Sequence, residues 1–367
     1  MSHELTGVPA PAQDPVPAPR RGLRPRTVVL LVSLFFSLLL VAVVALLPVP
    51  YAVLSEGPAL NTLSTSSGKP LIEISGHPTY PTSGGLYLTT VSVLGGPRPV
   101  TLPTVLRAWL DPGEAAVPVE DVFPPGQTAE QADQETRREM TDSQTAATAA
   151  ALQELGVPVT VSVGAVQSGV PAARVLRAGD VLIAVNGRPV TGYTSLRAAI
   201  SDLPPGRTVQ ATLRRGGAER TVEVGTTTDD RGRTILGIAP DFTFPFSVKI
   251  QIQDIGGPSA GTMFALGIID KLTPGSLTGG RQIAGTGEIS PDGTVAPIGG
   301  IAEKMIGARR VGATWFLAPA ANCDEVVGRV PAGLHVVKIT TLHGARQAVE
   351  AIAQGGAAAG ALPSCSP

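Results

Sequence analysis

The hydrophobic pattern begins with one long uncharged run near the start of the chain. Residues 27–47, TVVLLVSLFFSLLLVAVVALL, contain no charged side chain. At about 1.5 Å per residue, a helix of this length crosses the roughly 30 Å hydrocarbon core of a bilayer. Four arginines lie within residues 20–26, and the next basic residue is Lys69. The positive-inside rule therefore predicts a cytoplasmic tail at 1–26, a transmembrane helix at 27–47 and extracytoplasmic domains after it.

A cleaved signal peptide is the alternative to a membrane anchor. The apolar core of a signal peptide usually has about 7–15 residues and is followed by an A-x-A cleavage pattern. Residues 27–47 exceed that length, and no such pattern closes them. We therefore favour an uncleaved single-pass anchor in the cell membrane.

The segment after the anchor alternates between extended runs and turn residues. LIEISGHPTYPTSGGLYLTTVSVLG, residues 71–95, places two extended runs around a Gly/Pro/Ser turn, which predicts a β-hairpin or small sheet. We assign it to a β-rich extracytoplasmic region at 48–128. Residues 129–154 lack glycine and proline and are rich in Ala, Glu, Gln and Arg, so a helix is predicted at 129–155.

Residues 156–228 combine short alternating strands with one short helix. VTVSVGAV at 159–166 alternates as a strand, SLRAAISDL at 195–203 has helical spacing, and the run at 208–224 predicts a hairpin that turns at Gly216-Gly217. PAARVLRAGDVLIAVNGRPV, residues 171–190, resembles the core signature of a PDZ domain. The positions that match this signature are Leu176, Gly179, Asp180, Ile183, Asn186 and Gly187.

The PDZ resemblance implies a peptide-binding module. Such domains capture an extended peptide by strand addition in a groove beside a helix. By this resemblance the groove helix is 195–202, with Leu196 and Ile200 facing the peptide, and Leu155-Gly156-Val157 is the nearest candidate for the carboxylate-binding loop. The alternative is a small β-domain that only packs against its neighbours, because a fold does not by itself fix a function.

A serine follows a glycine-rich turn in the next segment. FSVKIQIQDI alternates as a strand and leads into Gly256-Gly257-Pro258-Ser259, after which SAGTMFALGIIDKL predicts a buried helix. Ser259 would lie at the helix N-terminus, where unpaired amides favour negative charge. Backbone groups of Gly257, Pro258 and Ala260 are candidates for holding an oxyanion. The alternative is that Ser259 is only an N-cap residue.

A lysine interrupts the apolar face of a second predicted helix at 300–313. At 100° per residue, the apolar stripe of this helix consists of Ile301, Met305, Ala308, Val311 and Gly312. Lys304 falls inside the stripe, whereas Glu303 and Arg310 point away as solvent-facing charges. Burial lowers the pKa of a lysine, and a neutral lysine is a general base. The alternative is a lysine whose stem packs while its ammonium reaches water.

Together these motifs resemble the proteolytic domain of Lon-type proteases. The resemblance rests on GPSAGT around Ser259, on GTGEISPDGTVAPIGGIAEK ending at Lys304, and on the 45 positions between them. It implies an α+β proteolytic domain at 235–354, with Ser259 as nucleophile and Lys304 as general base. Asp254 and Thr286 carry over as supporting residues only. Lon-type proteases form ring-shaped oligomers, so the resemblance also implies a homo-oligomer.

Composition and missing motifs limit the remaining possibilities. The net charge is −1 and both signs are interspersed, so the sequence shows no cluster of basic residues of the kind that binds nucleic acid. The sequence has no GxxxxGK[ST] motif and no metal-ligand cluster with workable spacing, so no ATP, metal or cofactor is predicted. Of the four histidines, His335 remains open as a rival base in a Ser-His-Asp arrangement.

The order of segments adds a second resemblance and predicts a disulfide. An anchor followed by PDZ-like and Lon-like segments resembles the membrane-anchored PDZ–Lon-like proteins of bacteria, especially high-GC Gram-positive ones. In an oxidising compartment, Cys323 and Cys365 are expected to form a disulfide that ties the tail at 355–367 to the protein body. The predicted function is ATP-independent cleavage of unfolded or tail-exposed proteins; the alternative is a non-catalytic PDZ-type peptide-binding scaffold on a degenerate protease fold.

Overall fold

The secondary structure mixes helices and strands along the described chain. The computed structural model describes residues 24–66, 68–96, 99–252 and 255–365. Its α-helices are α1 Pro25–Leu46, α2 Leu102–Leu110, α3 Ala129–Glu154, α4 Tyr193–Ile200, α5 Gly261–Leu272, α6 Ile301–Arg310, α7 Cys323–Val326, α8 Leu342–Gln354 and α9 Gly356–Gly360.

The strands are mostly short, and several consist of two residues. In chain order they are β1 Pro48–Val49, β2 Tyr51–Asn61, β3 Thr65–Ser66, β4 Lys69–Pro70, β5 Ile72–Ser75, β6 Gly85–Leu94, β7 Val100–Thr101, β8 Glu114–Pro118, β9 Thr160–Val166, β10 Val181–Val185, β11 Arg188–Pro189, β12 Thr208–Arg215, β13 Ala218–Gly225, β14 Thr227–Thr228, β15 Thr234–Ile235, β16 Ile238–Thr243, β17 Ser247–Ile250, β18 Gln282–Gly285, β19 Glu288–Ile289, β20 Val295–Ala296, β21 Trp315–Pro319 and β22 His335–Ile339.

Helix α1 has the length and composition that a membrane span requires. It has 22 residues, and its most apolar window has a mean hydropathy of 3.1 with no residue buried against the rest of the chain. Pro25 occupies the first turn, where its missing N–H leaves no helical bond unmade. The predicted span at 27–47 thus corresponds to one continuous, exposed helix.

One mixed sheet combines strands from two distant parts of the sequence. Its order is β22-β21-β18-β6-β2-β8. The first four strands are parallel, and β2 pairs antiparallel with both β6 and β8. Residues 48–128 are therefore not a separate β-rich region, contrary to the sequence prediction. The local pattern showed the strands, but their partners at 282–339 lie far away in the sequence.

The extended runs at 71–95 are strands, but they do not form a hairpin. β5 pairs antiparallel with β17, with Ile72 opposite Ile250. β6 instead lies between β2 and β18 in the mixed sheet. The turn residues between the two runs thus connect different sheets, which local alternation cannot reveal.

Helix α3 begins where the sequence predicts, ends one residue before the predicted 155, and packs in the main core. Thr128 and Gln131 form a reciprocal capping box at its start, which supplies partners for two otherwise unpaired amides. Its buried C-terminal half packs with α5 and α8 on one face of the mixed sheet. Helix α6 packs on the opposite face with a second core. In β18, Ile283 points to the core with α3 and α5, and Ala284 points to the core under α6.

A second sheet, with its own core, lies between α3 and β17 in the sequence. Its order is β13-β12-β10-β9-β16, with β11 attached to β10, and α4 packs against it. The predicted hairpin at Gly216-Gly217 is confirmed, since Arg215 pairs with Ala218 across the turn. Helix α3 before this sheet and β17 after it both belong to the main core of the mixed sheet. In the sequence, the second sheet is therefore inserted between two segments of the larger unit.

Cys323 and Cys365 form a disulfide across 42 positions. The bond links α7 to the segment that follows α9, and Cys365 packs at the edge of the core under α6. The C-terminal segment is thereby held against the face of the sheet that carries Lys304.

Candidate active site

The turn before Ser259 is held from behind by α3. The amide of Gly257, which has a φ of +83°, donates to the Thr136 carbonyl at 3.1 Å. The Ser143 hydroxyl donates to the Pro258 carbonyl at 2.9 Å. A Cβ on Gly256 would lie 1.9 Å from the Thr136 methyl group. Glycine is therefore required where the turn meets α3, and two α3 residues fix the turn's backbone.

Ser259 is not the N-cap of α5. The helix begins at Gly261, its N-cap residue is Ala260, and no side chain caps it. The carbonyl of Ser259 accepts the Gly287 amide at 2.8 Å and the Thr286 hydroxyl at 3.0 Å. Its own hydroxyl makes no hydrogen bond to another described residue. The backbone of this half-buried serine is thus fixed while its Oγ remains available.

Lys304 is buried, as the pattern of α6 predicts. Only 2% of its surface is exposed, which contradicts the alternative of an ammonium that reaches water. Its Nζ donates to Thr286 Oγ1 at 3.2 Å. Burial lowers the pKa of Lys304 to about 7, and the neighbouring Glu303 carboxylate opposes that shift only in part. About half of the Lys304 side chains are consequently neutral near pH 7.

Thr286 links the two predicted catalytic residues at the end of β18. It is fully buried, accepts a hydrogen bond from Lys304 Nζ and donates one to the Ser259 carbonyl. Helices α5 and α6 approach from opposite faces of the sheet, so this position is where their N-terminal turns meet. Ser259 Oγ and Lys304 Nζ are not hydrogen-bonded to each other among the described residues; Thr286 bridges the two residues.

Glu303 is buried rather than solvent-facing, so that part of the helix prediction is wrong. Only 5% of its surface is exposed. Its Oε2 lies 3.5 Å from the position that a Cβ on Gly300 would take, so the carboxylate folds back over the N-terminus of α6. The helix dipole favours a negative charge there. Arg310 is exposed, as predicted, and pairs with Glu56 of β2.

The three predicted oxyanion residues differ in what their backbone can donate. The Gly257 amide is already bonded to Thr136, and Pro258 has no N–H. The Ala260 amide has no partner among the described residues and adjoins Ser259. Of the predicted set, only Ala260 therefore offers a donor, and the adjacent Ser259 amide is equally unengaged.

Two other predicted site residues are not part of this arrangement. Asp254 lies outside the described residues. His335 begins an edge strand of the mixed sheet and stacks on Trp315, with ring centroids 4.8 Å apart. Its described contacts do not include Ser259, so the structure gives no support to the rival base.

A groove of about 710 Å³ runs beside the turn. One wall is α3, and the other is the segment that leads from β17 toward Ser259. Its lining residues are Asp133, Thr136, Arg137, Met140, Thr141, Gln144, Ile250, Ile252, Ile255 and Gly256. The groove therefore has an apolar side formed by three isoleucines and a polar side formed by α3.

The predicted peptide-facing residues of α4 are buried in their own domain. Leu196 and Ile200 are each 3% exposed and belong to the core under the second sheet. The side of α4 toward β16 instead carries Tyr193, whose ring meets Phe242 edge-to-face at 6.1 Å. In the described chain β16 is an edge of this sheet. The edge strand beside α4 therefore comes at the end of this sheet's sequence; the predicted carboxylate-binding loop at 155–157 stays a prediction.

Sequence reasoning missed that β16 is an edge strand beside α4 and that Ser143 contacts the turn before Ser259. Gly237, directly before β16, was a usable sequence signal because glycine is a common turn residue ahead of a strand; in the structure it has a φ of +69°. Nothing local distinguishes Ser143, a serine in an Ala- and Thr-rich helix, from a surface residue. Its role depends on contact with Pro258, 115 positions away.

Comparisons with known proteins identify two regions of this chain. Residues 133–226 match the family model of the PDZ domain. Residues 252–352 match the model of the Lon protease (S16) C-terminal proteolytic domain. A PDZ domain of the SdrC-like protein from Listeria monocytogenes is 28% identical over 22% of this chain and 85% of that chain, with a TM-score of 0.21.

The similar curated proteins are much longer than this chain. Lon protease 1 of Bacillus subtilis is 38% identical over 95 residues, 25% of this chain and 12% of that protein. Lon protease of Heliobacterium modesticaldum is 31% identical over 157 residues, 41% of this chain and 19% of that protein. Lon protease 2 of Herpetosiphon aurantiacus is 42% identical over 111 residues, 28% and 13% respectively. The chain thus spans less than a fifth of the length of each.

Proposed function

We propose, from the premise that this chain joins a PDZ domain to a Lon-type (S16) proteolytic domain, that it is an ATP-independent serine endopeptidase with a Ser259–Lys304 dyad. The observation that carries the proposal is the chain of contacts from Lys304 through Thr286 to Ser259. A buried lysine that is half neutral near pH 7 supplies the base that the serine requires.

The proposed reaction begins with proton transfer from Ser259 to Lys304. As the neutral Nζ of Lys304 takes the hydroxyl proton, the Oγ of Ser259 forms a bond to the substrate carbonyl carbon. The π electron pair of the C=O bond moves to the carbonyl oxygen. The unengaged Ser259 and Ala260 amides are placed to stabilise that oxyanion. When the intermediate collapses, the C–N bond breaks and the Lys304 ammonium returns the proton to the leaving amine. Water then hydrolyses the acyl-enzyme, with Lys304 again as base.

Thr286 has a positioning role in this proposal. Because its hydrogen is committed to the Ser259 carbonyl, its oxygen is presented to Lys304 Nζ as an acceptor. One hydroxyl therefore fixes the backbone of the nucleophile and the location of the base at the same time. A lysine held this way needs little reorganisation before it takes the proton.

The substrate is proposed to be an unfolded or tail-exposed protein outside the cytoplasm. The sequence has no Walker A motif, so no residues of this chain are available to couple ATP hydrolysis to unfolding. We place α1 in the cell membrane with the N-terminus in the cytoplasm, which puts the disulfide-bonded domain in an oxidising compartment. The actinobacterial assignment and a homo-oligomeric state stay predictions.

We assign substrate selection or gating to the PDZ domain. The outer edge of β16 is open to strand addition beside α4, a mode in which main-chain hydrogen bonds supply affinity. After β16 the chain continues into β17, the strand that leads toward Ser259. A chain bound on β16 would therefore be attached close to the segment that positions the nucleophile.

Cleavage of an unfolded reporter protein tests the assignment. The full chain in detergent is compared with Ser259→Ala and with Lys304→Met, and each is treated with a serine-directed covalent probe. We expect both variants to lose turnover and the wild type alone to be labelled. If Ser259→Ala cleaves as fast as the wild type, the nucleophile is wrong. If the folded wild type neither cleaves nor reacts with the probe, the chain is a peptide-binding scaffold instead.

A further inference from the structure

We propose that α2 is a membrane-interface helix, whose exposed apolar face inserts into the lipid headgroup region beside the anchor. This inference rests on the proposed membrane anchoring of α1 but is independent of the catalytic assignment. The interaction surface consists of Leu106, Trp109 and Leu110, which follow i, i+3, i+4 spacing and so lie on one face of the helix.

Helix α2 carries two apolar faces, although it needs only one to fold. Val105 and Ala108 are buried and pack on Val53 of β2. Next to this buried face, Leu106, Trp109 and Leu110 are 45%, 57% and 86% exposed. A contiguous exposed apolar face of this kind marks an interaction surface in a folded protein. Leu94 pairs with Val53 across the sheet and so points to the same face of the sheet as α2. It is also exposed and adds to the apolar surface on that face.

Chain connectivity places this face at the membrane boundary. Helix α1 ends at Leu46, and β1 follows directly, with Pro48 paired to Thr101. Thr101 is the residue before α2, so α2 starts one strand spacing, about 4.8 Å, from the point where the chain leaves α1. The two helices are also in contact. No other part of the described chain covers the surface, whereas the bilayer lies beside it once α1 spans the membrane.

The residue types suit the interface between lipid and water. Trp109 stacks edge-to-face on Tyr51, with ring centroids 5.9 Å apart, and tryptophan and tyrosine are enriched at headgroup depth. Arg107, the one charged residue of α2, is exposed and ion-paired with Glu114, so it can remain in water while its neighbours enter lipid. Two leucines and a tryptophan on a helix beside an anchor are typical of an interfacial segment.

Tryptophan quenching by brominated lipids in liposomes tests the proposal. The chain contains two tryptophans, so the Trp315→Phe variant reports on Trp109 alone and the Trp109→Phe variant reports on Trp315 alone. Both full-length variants are reconstituted into phosphatidylcholine–phosphatidylglycerol vesicles, with bromine at shallow or deep acyl positions. We expect Trp109 to be quenched strongly, and more by shallow than by deep bromine, while Trp315 is not quenched.

The outcomes separate this proposal from the anchoring on which it rests. If the vesicles retain the protein after alkaline extraction but Trp109 is quenched no more than Trp315, the interface helix is wrong and the anchor stands. If extraction removes the protein, both are wrong. Leu106→Gln with Leu110→Gln should reduce the quenching of Trp109 without changing retention. If Trp109 is not quenched and α2 residues of two copies can be crosslinked, a second copy of the chain covers the exposed face of α2. That result would overturn the proposal.

Discussion

Replacing Lys304 by methionine should stabilise the protein at neutral pH while it abolishes activity. A methionine fills a similar volume without a charge, so the substitution removes the cost of holding an ammonium in a site that is 2% exposed. A buried pair broken on one side usually destabilises a protein, but Lys304 has a hydroxyl partner, Thr286, rather than a carboxylate. Lys304 forms no salt bridge among the described residues, so the substitution breaks none. It does remove the attraction of the buried Glu303 carboxylate, which offsets a small part of the cost of burying the ammonium.

The size of the effect follows from the pKa of Lys304, which burial lowers from 10.5 to about 7. At 1.36 kcal/mol for each pKa unit, this difference corresponds to about 4–5 kcal/mol of unfolding free energy. Below pH 7 the folded and unfolded lysines are both protonated, so the whole penalty applies. Between pH 7 and 10.5 the unfolded chain binds a proton that the folded chain lacks, so wild-type stability rises with pH. The advantage of Lys304→Met should consequently shrink by roughly 2 kcal/mol from pH 7 to pH 9.

Urea unfolding at pH 7, 8 and 9 measures this advantage. The full chain in detergent carries Trp109→Phe, so that Trp315 of β21 reports on the proteolytic domain alone. Lys338→Met, at an exposed lysine of β22, controls for the loss of one positive charge. A stability difference between Lys304→Met and its parent that stays constant from pH 7 to pH 9 would refute the reasoning, because an uncharged replacement must remove the pH dependence of a desolvated lysine.

Three further predictions concern the same domain. The kcat/KM of the wild type should rise about tenfold per pH unit below pH 7 and level off above it, because only neutral Lys304 is a base; pH–rate profiles from pH 5 to 9 measure this, and a flat profile contradicts it. Ser143→Ala should lower kcat by about tenfold, since loss of its hydrogen bond to Pro258 costs about 1–2 kcal/mol, whereas Thr145→Ala, at a half-buried threonine of α3 that bonds only within its own helix, should leave kcat unchanged; equal kcat values for the two variants would exclude Ser143 as a positioning residue. Replacing Cys323 and Cys365 together by serine should lower the unfolding free energy by about 4 kcal/mol at most, the chain-entropy value for a loop of 42 residues; reduction by dithiothreitol should lower the wild type equally and leave the variant unaffected.

The features that the sequence predicted well are those fixed by nearby residues. Helix α3 follows from 26 positions without glycine or proline and a local cap. Lys304 was found because it interrupts the periodicity of its own helix. In contrast, Ser143, the pairing of β5 with β17, and the edge strand β16 each depend on a contact across many tens of residues. Glu303 illustrates a subtler failure, because the helix wheel gives a side chain's direction but not whether another element covers it.

The mixed sheet has a consequence for how the protein is made. β6 ends at Leu94, and its parallel partner β18 begins at Gln282, 188 positions later. At synthesis rates of about 5–20 residues per second, the open edge of β6 waits on the order of 10–40 s for that partner. Ser259 is likewise synthesised before Thr286, which holds its carbonyl, and before Lys304. Lys304 follows Ser259 by 45 positions, so at the same rates the proposed base is synthesised about 2–9 s after the proposed nucleophile. Until then the nascent chain lacks the proposed dyad.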